Sequence, residues 1–156
     1  LAAINPHVAV EPFIERLTPD NPRDIIERFD LVLDGTDDFD TRFAVNAACV
    51  ATGTPLVSGA LGRWNGQVGV FTGEPCYQCL VPEAPPDAET CARVGVVGAL
   101  AGVIGAMTAL EAIKLITGAG QALTGRLMLY DGLAGSSRVV KIAADPACPV
   151  CGSAHA

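Results

Sequence analysis

Four cysteines stand in two C-x-x-C couplets, Cys76-Tyr-Gln-Cys79 and Cys148-Pro-Val-Cys151. Each couplet offers two sulfurs from one tight turn, and two couplets together make the all-cysteine tetrahedral set that binds Zn²⁺. A shared ion would clamp the C-terminal tail back onto a loop near the middle of the chain. Two disulfides, or two unrelated thiol pairs working as a redox dithiol, are the competing chemistries. The second chemically loaded stretch is Asp34-Gly-Thr-Asp-Asp38, which directly follows the apolar run Leu31-Val-Leu33. A short strand ending in carboxylates places them at the C-terminal edge of a parallel sheet, where open α/β folds bind ligands. Hard oxygen donors there suit Mg²⁺ beside nucleotide phosphates. The simpler use of Asp37 and Asp38 is to cap the free N–H groups of the helix that follows.

The elements that must position these groups read as an α/β alternation. Residues 1–5, closed by Pro6, form a helix terminus, because proline pushes the residue before it out of helical space. Residues 8–17 mix β-branched and alternating positions and read as a strand, with Pro12 marking an edge or a bulge. A turn over 18–22 leads to a short helix over 23–29, a strand over 31–33 and the acidic loop. Phe39–Thr52 reads as a helix stopped by Gly53. Strand, helix, strand, loop, helix, strand implies a parallel sheet. After Pro55 the pattern changes: Leu56–Leu61 and 67–72 are strands around Asn65-Gly66, a strong hairpin signal, so antiparallel strands extend the sheet. A proline-rich loop over 82–90, expected to be mobile, carries the chain to Cys91. An apolar helix over 94–117 ends at Gly118-Ala-Gly120. A second hairpin joins Arg126–Asp131 to 137–143 before the tail.

Composition sets the bounds. The 156 residues are enough for one domain with a real core, half of them hydrophobic and 17% charged. Mean hydropathy is +0.39, carried by small residues, since aromatics are only 5%. A net charge of −7 with no Lys/Arg cluster argues against a nucleic-acid partner. No signal-peptide pattern opens the chain, so the cysteines read as a reduced, cytoplasmic metal site. The chain opens on Leu1, in what reads as the last turn of a helix, which suggests part of a longer polypeptide. The uncharged run 94–110 invites a membrane reading. It is marginal in length for about 30 Å of hydrocarbon, and Glu111 and Lys114 follow at once. A buried central helix or a dimer interface, with Gly98, Gly102 and Gly105 admitting a close backbone, is the better reading.

Several motifs then fall in one order: Asp34-Gly-Thr-Asp-Asp-Phe-Asp-Thr-Arg42 with Asn46, Pro55-Leu-Val-Ser-Gly59, Gly66-Gln-Val68, Pro75-Cys-Tyr-Gln-Cys79, Thr90-Cys91, Glu111-Ala-Ile-Lys114 and Cys148-Pro-Val-Cys151. The assembly resembles the bacterial E1-like family that includes MoeB and ThiF, from the Ile4-Asn5-Pro6-His7 turn to the tail. The resemblance implies a Rossmann-like E1 adenylation fold, incomplete here, and an activity: ATP-dependent adenylylation of the C-terminal glycine of a ubiquitin-like sulfur carrier, in molybdopterin or thiamine biosynthesis. It implies Asp37 at the Mg²⁺ and phosphate site, Asp38 where relatives usually carry Asn, and Arg42 and Asn46, four apart on one helical face, supporting the loop. It implies a structural Zn²⁺ on Cys76, Cys79, Cys148 and Cys151, held away from the chemistry. Cys91 corresponds to a cysteine linked covalently to the carrier in one branch of the family and dispensable for adenylation in the other; a thiol near a helix start is activated. The expected partners are the carrier, a sulfurtransferase and a second copy in a homodimer. Cys49 reads as core packing, and His7 and His155 carry no role.

One part of the family pattern is missing. No G-x-G-x-x-G follows a strand in these residues, and Gly95-Val-Val-Gly98 lies in an apolar helix context. The family's Gly-rich loop, ribose ligand and phosphate-gripping Arg and Lys precede the Asn-Pro-His turn. Two functions therefore remain: the adenylyltransferase, read for a parent protein, and a non-catalytic zinc-stabilised carrier-binding or dimerisation module.

Overall fold

The computed structural model describes residues 1–18, 20–86 and 95–152. Cys91, His155, residues 87–90 of the proline-rich loop and the expected helix start at Val94 lie outside the described residues. Among those described, the elements in chain order are α1 (Pro22–Ile26), β1 (Val32–Asp34), α2 (Phe39–Thr52), β2 (Leu56–Leu61), β3 (Asn65–Phe71), α3 (Tyr77–Leu80), α4 (Gly98–Thr117), β4 (Arg126–Asp131) and β5 (Ser136–Lys141).

The five strands form one sheet in sequence order, β1-β2-β3-β4-β5. Only β1 and β2 are parallel, with Val32 beside Leu56 and Asp34 beside Ser58. The remaining pairs are antiparallel: β2-β3 and β4-β5 are hairpins, while β3 and β4 are joined through α3 and α4. The sheet is therefore mixed, with a single βαβ unit, β1-α2-β2, at one side. The strand expected over 8–17 does not form. This stretch is irregular and mostly exposed, Pro12 has no N–H for a ladder, and Phe13 instead lays its ring edge-on to Phe29, 6.2 Å between centroids. The Arg28 guanidinium stacks over Phe13 at 5.2 Å.

Alternation along the strands divides the core in two. Leu56 and Phe71 point to the face shared with Ile26 of α1, Val45, Ala48 and Cys49 of α2, and Tyr77 of α3. Val57, Val68 and Val70 point the other way, onto Leu100 and Ile104 of α4. The three valines are fully buried, each worth about 1.5 kcal/mol or more in apolar burial. The result is α2 on one face, the sheet in the middle and α4 on the other. Cys49 is buried in the first cluster, as its neighbours in the sequence suggest.

Two glycine assignments change. The first hairpin reverses at Arg63-Trp64, where the Gly62 N–H donates to the Asn65 carbonyl at 2.8 Å, so Asn65 and Gly66 belong to β3 rather than to the turn. Gly66 is needed for packing: a Cβ there would lie 2.4 Å from Ile104 Cδ1. Likewise a Cβ on Gly59 would lie 2.6 Å from Thr108 Oγ1. The sheet glycines, not those of the helix, bring α4 close to β2 and β3. Gly98, Gly102 and Gly105 meet nothing within 4 Å.

The helix is thus one-sided rather than central. It is long and apolar enough to cross a membrane by length and composition, yet Leu100, Ile104, Thr108, Glu111 and Ala112 are buried. The Glu111 carboxylate accepts the Leu123 N–H at 2.8 Å and pairs with Lys114, which turns both charges toward the segment that follows. The outer face, by contrast, leaves Leu110, Ile113 and Ile116 52–73% exposed.

Candidate functional site

The acidic loop is built by local rules before any tertiary contact. Asp38 is the N-cap of α2, its carboxylate accepting the Thr41 N–H at 2.8 Å. That hydrogen bond holds the Asp38 carboxyl below its ordinary range, against a smaller opposing effect of partial burial. Gly53 closes the same helix in the left-handed conformation, φ 70°. Asp34, at the end of β1, folds back on the loop: its Oδ1 accepts from the Thr36 N–H at 2.9 Å and from the Thr36 hydroxyl at 2.7 Å.

Arg42, one turn into α2, draws the pieces together. Its guanidinium lies 3.4 Å from Asp34 Oδ2, both side chains at least 94% buried. It also donates to Ser58 Oγ at 3.0 Å, to the Gly59 carbonyl at 2.9 Å and to the Thr36 carbonyl. One side chain therefore joins the end of β1, the acidic loop and the middle of β2. Buried ion pairs persist only when their remaining hydrogen-bond capacity is met, and among the described residues no buried side-chain N or O is left without a partner.

Asp37 sits at the exposed crest of this loop. It lines a cavity of about 540 Å³ together with Asp34, Thr36, Arg42, Gly59 and Tyr77, with Ile104 and Thr108 of α4 forming the far wall. An exposed carboxylate beside a cavity fits Mg²⁺, which keeps most of its waters and takes one or two carboxylates plus substrate phosphates. A second cleft, about 630 Å³, runs over strands β3, β4 and β5 past Tyr130, Asp131 and Arg138. Ala60, Leu61 and Gln67 line both.

The four couplet cysteines converge. Their sulfurs all lie within 4.8 Å of one another, with Cys76 Sγ to Cys148 Sγ at 3.6 Å and Cys79 Sγ to Cys151 Sγ at 3.4 Å. A tetrahedral site with metal–sulfur bonds of about 2.3 Å needs sulfur–sulfur edges of about 3.8 Å, so the quartet fits a metal ion and is too open for disulfides. Burial pushes the Cys76 thiol up, while the Asn46 amide pulls it down. For Cys148, burial is outweighed by the N–H groups of Cys151 and Val150, which bring it down to about 7. Gly152 makes the tail turn possible: a Cβ there would meet the Pro146 carbonyl at 2.5 Å and the Cys148 carbonyl at 2.6 Å.

The sequence places Arg42 and Asn46 on one face of α2, and the structure sends them to different neighbours. Arg42 reaches the acidic loop. Asn46, 1% exposed, accepts the Tyr77 N–H at 2.8 Å and donates to Cys76 Sγ at 3.5 Å. Asp34, Ser58 and Tyr77 emerge as site residues only in three dimensions. Asp34 is visible in the acidic motif, but nothing in its spacing marks it as the buried partner of Arg42. Tyr77 sits between two cysteines of the quartet and carries no signal for a cavity wall, although the Arg42 guanidinium lies 5.9 Å over its ring. Burial drives the Tyr77 phenol up despite that cation.

Known proteins resemble this chain over most of its length. A sulfur carrier protein adenylyltransferase of Thermus thermophilus is 46% identical over 97% of this chain and 59% of its own length. A molybdopterin-synthase adenylyltransferase of Escherichia coli is 43% identical over 97% of the chain and 62% of its own. The chain thus spans about 60% of the length of these two curated relatives. A crystal structure of E. coli MccB superposes with a TM-score of 0.76 at 17% identity, over 97% of this chain and 47% of that one, a likeness of fold. With the ThiF family pattern matched from residue 1 to residue 150, the chain belongs to the ThiF family.

Proposed function

We propose that these residues are the acidic-loop and metal-bearing part of an adenylation domain. In its parent protein, that domain joins AMP from ATP to the C-terminal glycine carboxylate of a ubiquitin-like sulfur carrier and releases pyrophosphate. The observation that carries the reading is the buried Asp34–Arg42 pair, which holds Thr36 and presents Asp37 at the mouth of the cavity. Asp37 would hold the Mg²⁺ that offsets phosphate charge as the carrier carboxylate attacks. Asp38 keeps the helix start in place, and Arg42 fixes the loop on which Asp37 stands. The continuity of the two clefts through Gln67 supports a carrier seated over the β4-β5 hairpin with its tail directed toward Asp37. The quartet Cys76, Cys79, Cys148 and Cys151 would hold Zn²⁺, whose preference for four thiolates matches the sulfur geometry. The uncharged outer face of α4, from Gly98 to Ile116, suits a second copy in a homodimer. A cytoplasmic setting, which keeps the thiolates reduced, and a sulfurtransferase that consumes the adenylate complete the proposal.

ATP–pyrophosphate exchange by the full-length protein tests it, with molybdopterin-type and thiamine-type carriers compared. Carrier-dependent exchange that disappears in Asp37→Ala and persists in Cys91→Ala is the expected result. Absence of exchange with every carrier would leave the non-catalytic zinc module as the better reading, and a redox dithiol would require couplets that cycle without bound metal.

A further inference from the structure

We infer that Asn46 and Tyr77 couple the metal centre to the Asp37 cavity, so that metal occupancy sets the shape of the acidic loop. Asn46 projects from the middle of α2, the helix whose first turn carries Asp38 and Arg42. Its side chain is fully buried and spends both ends on the metal loop: the amide donates to Cys76 Sγ at 3.5 Å, and the carbonyl accepts the Tyr77 N–H at 2.8 Å. A hydrogen bond to a ligating sulfur orients that ligand toward its metal, so the Asn46 amide ties α2 to the quartet. Tyr77, pinned by Asn46 and flanked by the ligands Cys76 and Cys79, places its ring 5.9 Å from the Arg42 guanidinium. Its ring lies T-shaped to Phe71 and tilted against Phe43, which leaves it little freedom. Arg42 in turn grips Asp34, Thr36 and Gly59. The path from a sulfur to the acidic loop is therefore Cys76, Asn46 and Tyr77, then Arg42, without a gap. The metal is structural in its bonds, but it is not remote from the cavity, because Tyr77 lines that cavity. The inference rests on the reading of the quartet as a metal site and makes Asn46 a positioning residue.

Two measurements on the full-length protein test it, and neither uses activity. In the first, Co²⁺ replaces the native ion in the unsubstituted protein and in Asn46→Leu, and metal affinity is measured by chelator competition. Loss of the N–H donor should shift the sulfur-to-cobalt charge-transfer band and weaken binding by about 10- to 100-fold. In the second, hydrogen exchange is followed as the unsubstituted protein is stripped with a chelator. The Tyr77 and Thr36 amides should lose protection while those of Val57 and Val68 in the sheet remain protected, and in Tyr77→Leu the Thr36 amide should be indifferent to metal. No charge-transfer band in any protein would overturn the metal reading and this inference with it. Bands and affinities unchanged by Asn46→Leu, or a Thr36 amide untouched by stripping, would overturn the inference alone. If Asn46→Leu fails to fold, the exchange experiment still decides.

Discussion

Replacing Arg42 by methionine should be among the most damaging single changes in the described residues. Arg42 is 5% exposed and bonded to four partners on three segments: Asp34, Thr36, Ser58 and Gly59. Methionine restores most of the side-chain volume but none of the donors. The Asp34 carboxylate, also 5% exposed, keeps its two bonds from Thr36 and loses its only cation among the described residues. Breaking a buried pair from one side costs about 3–5 kcal/mol, because the remaining charge is stranded. That is a large share of a domain's total stability of about 5–15 kcal/mol. Removing the charge as well, in Arg42→Met with Asp34→Asn, should recover about 1–3 kcal/mol of that loss, the usual coupling between contacting residues. Urea unfolding of the unsubstituted protein, the two single variants and the double variant measures the cycle, provided the slope with denaturant stays constant. An Arg42→Met variant within 1 kcal/mol of the parent, or a cycle with no coupling, would refute the view that one buried pair organises this loop.

Other consequences follow from the same geometry. Cys76→Ser and Cys148→Ser should each release the metal, read by elemental analysis, and lower the melting temperature, because ligand bonds present only in the folded chain add directly to its stability. Gly152→Ala should weaken metal binding although Gly152 is not a ligand, since its Cβ would force apart the carbonyls of Pro146 and Cys148; chelator competition reads the effect. Asp38→Ala should cost about 1 kcal/mol through the lost cap, and Asp38→Asn should cost little at neutral pH. The folded-state pKa of Asp38 is lowered, so its contribution is complete above the unfolded pKa near 3.8 and fades as pH falls through the lower folded value. Acid titrations of stability should therefore show a smaller loss in that window for Asp38→Asn than for the parent.

The elements that were legible in the sequence are those whose signals are local. α2 runs from Phe39 to Thr52 as expected because its N-cap Asp38 and its left-handed Gly53 are both within the segment they bound. β2 is likewise Leu56–Leu61, and the two couplets announce their own convergence because tetrahedral thiolate binding needs two pairs. The misread stretches depend on what lies beside them. Residues 8–17 carry the pattern of a strand, but no neighbouring strand pairs with them among the described residues. Asn65-Gly66 carries the pattern of a turn, but Ile104 of α4 needs the space above Gly66, and the reversal moves to Arg63-Trp64.

By itself, then, the sequence determined the family, the cysteine quartet, the acidic loop and the helix that opens behind it, because each rests on residue type and short spacing. Only the tertiary structure decided how these parts meet. Arg42 and Asn46 share one face of one helix, yet Arg42 ends against a buried carboxylate of β1 and Asn46 against a sulfur 30 residues away. Spacing along a helix fixes which side chains are neighbours but not what is packed opposite them, and that is set by the layering of α2, the sheet and the cysteine loop.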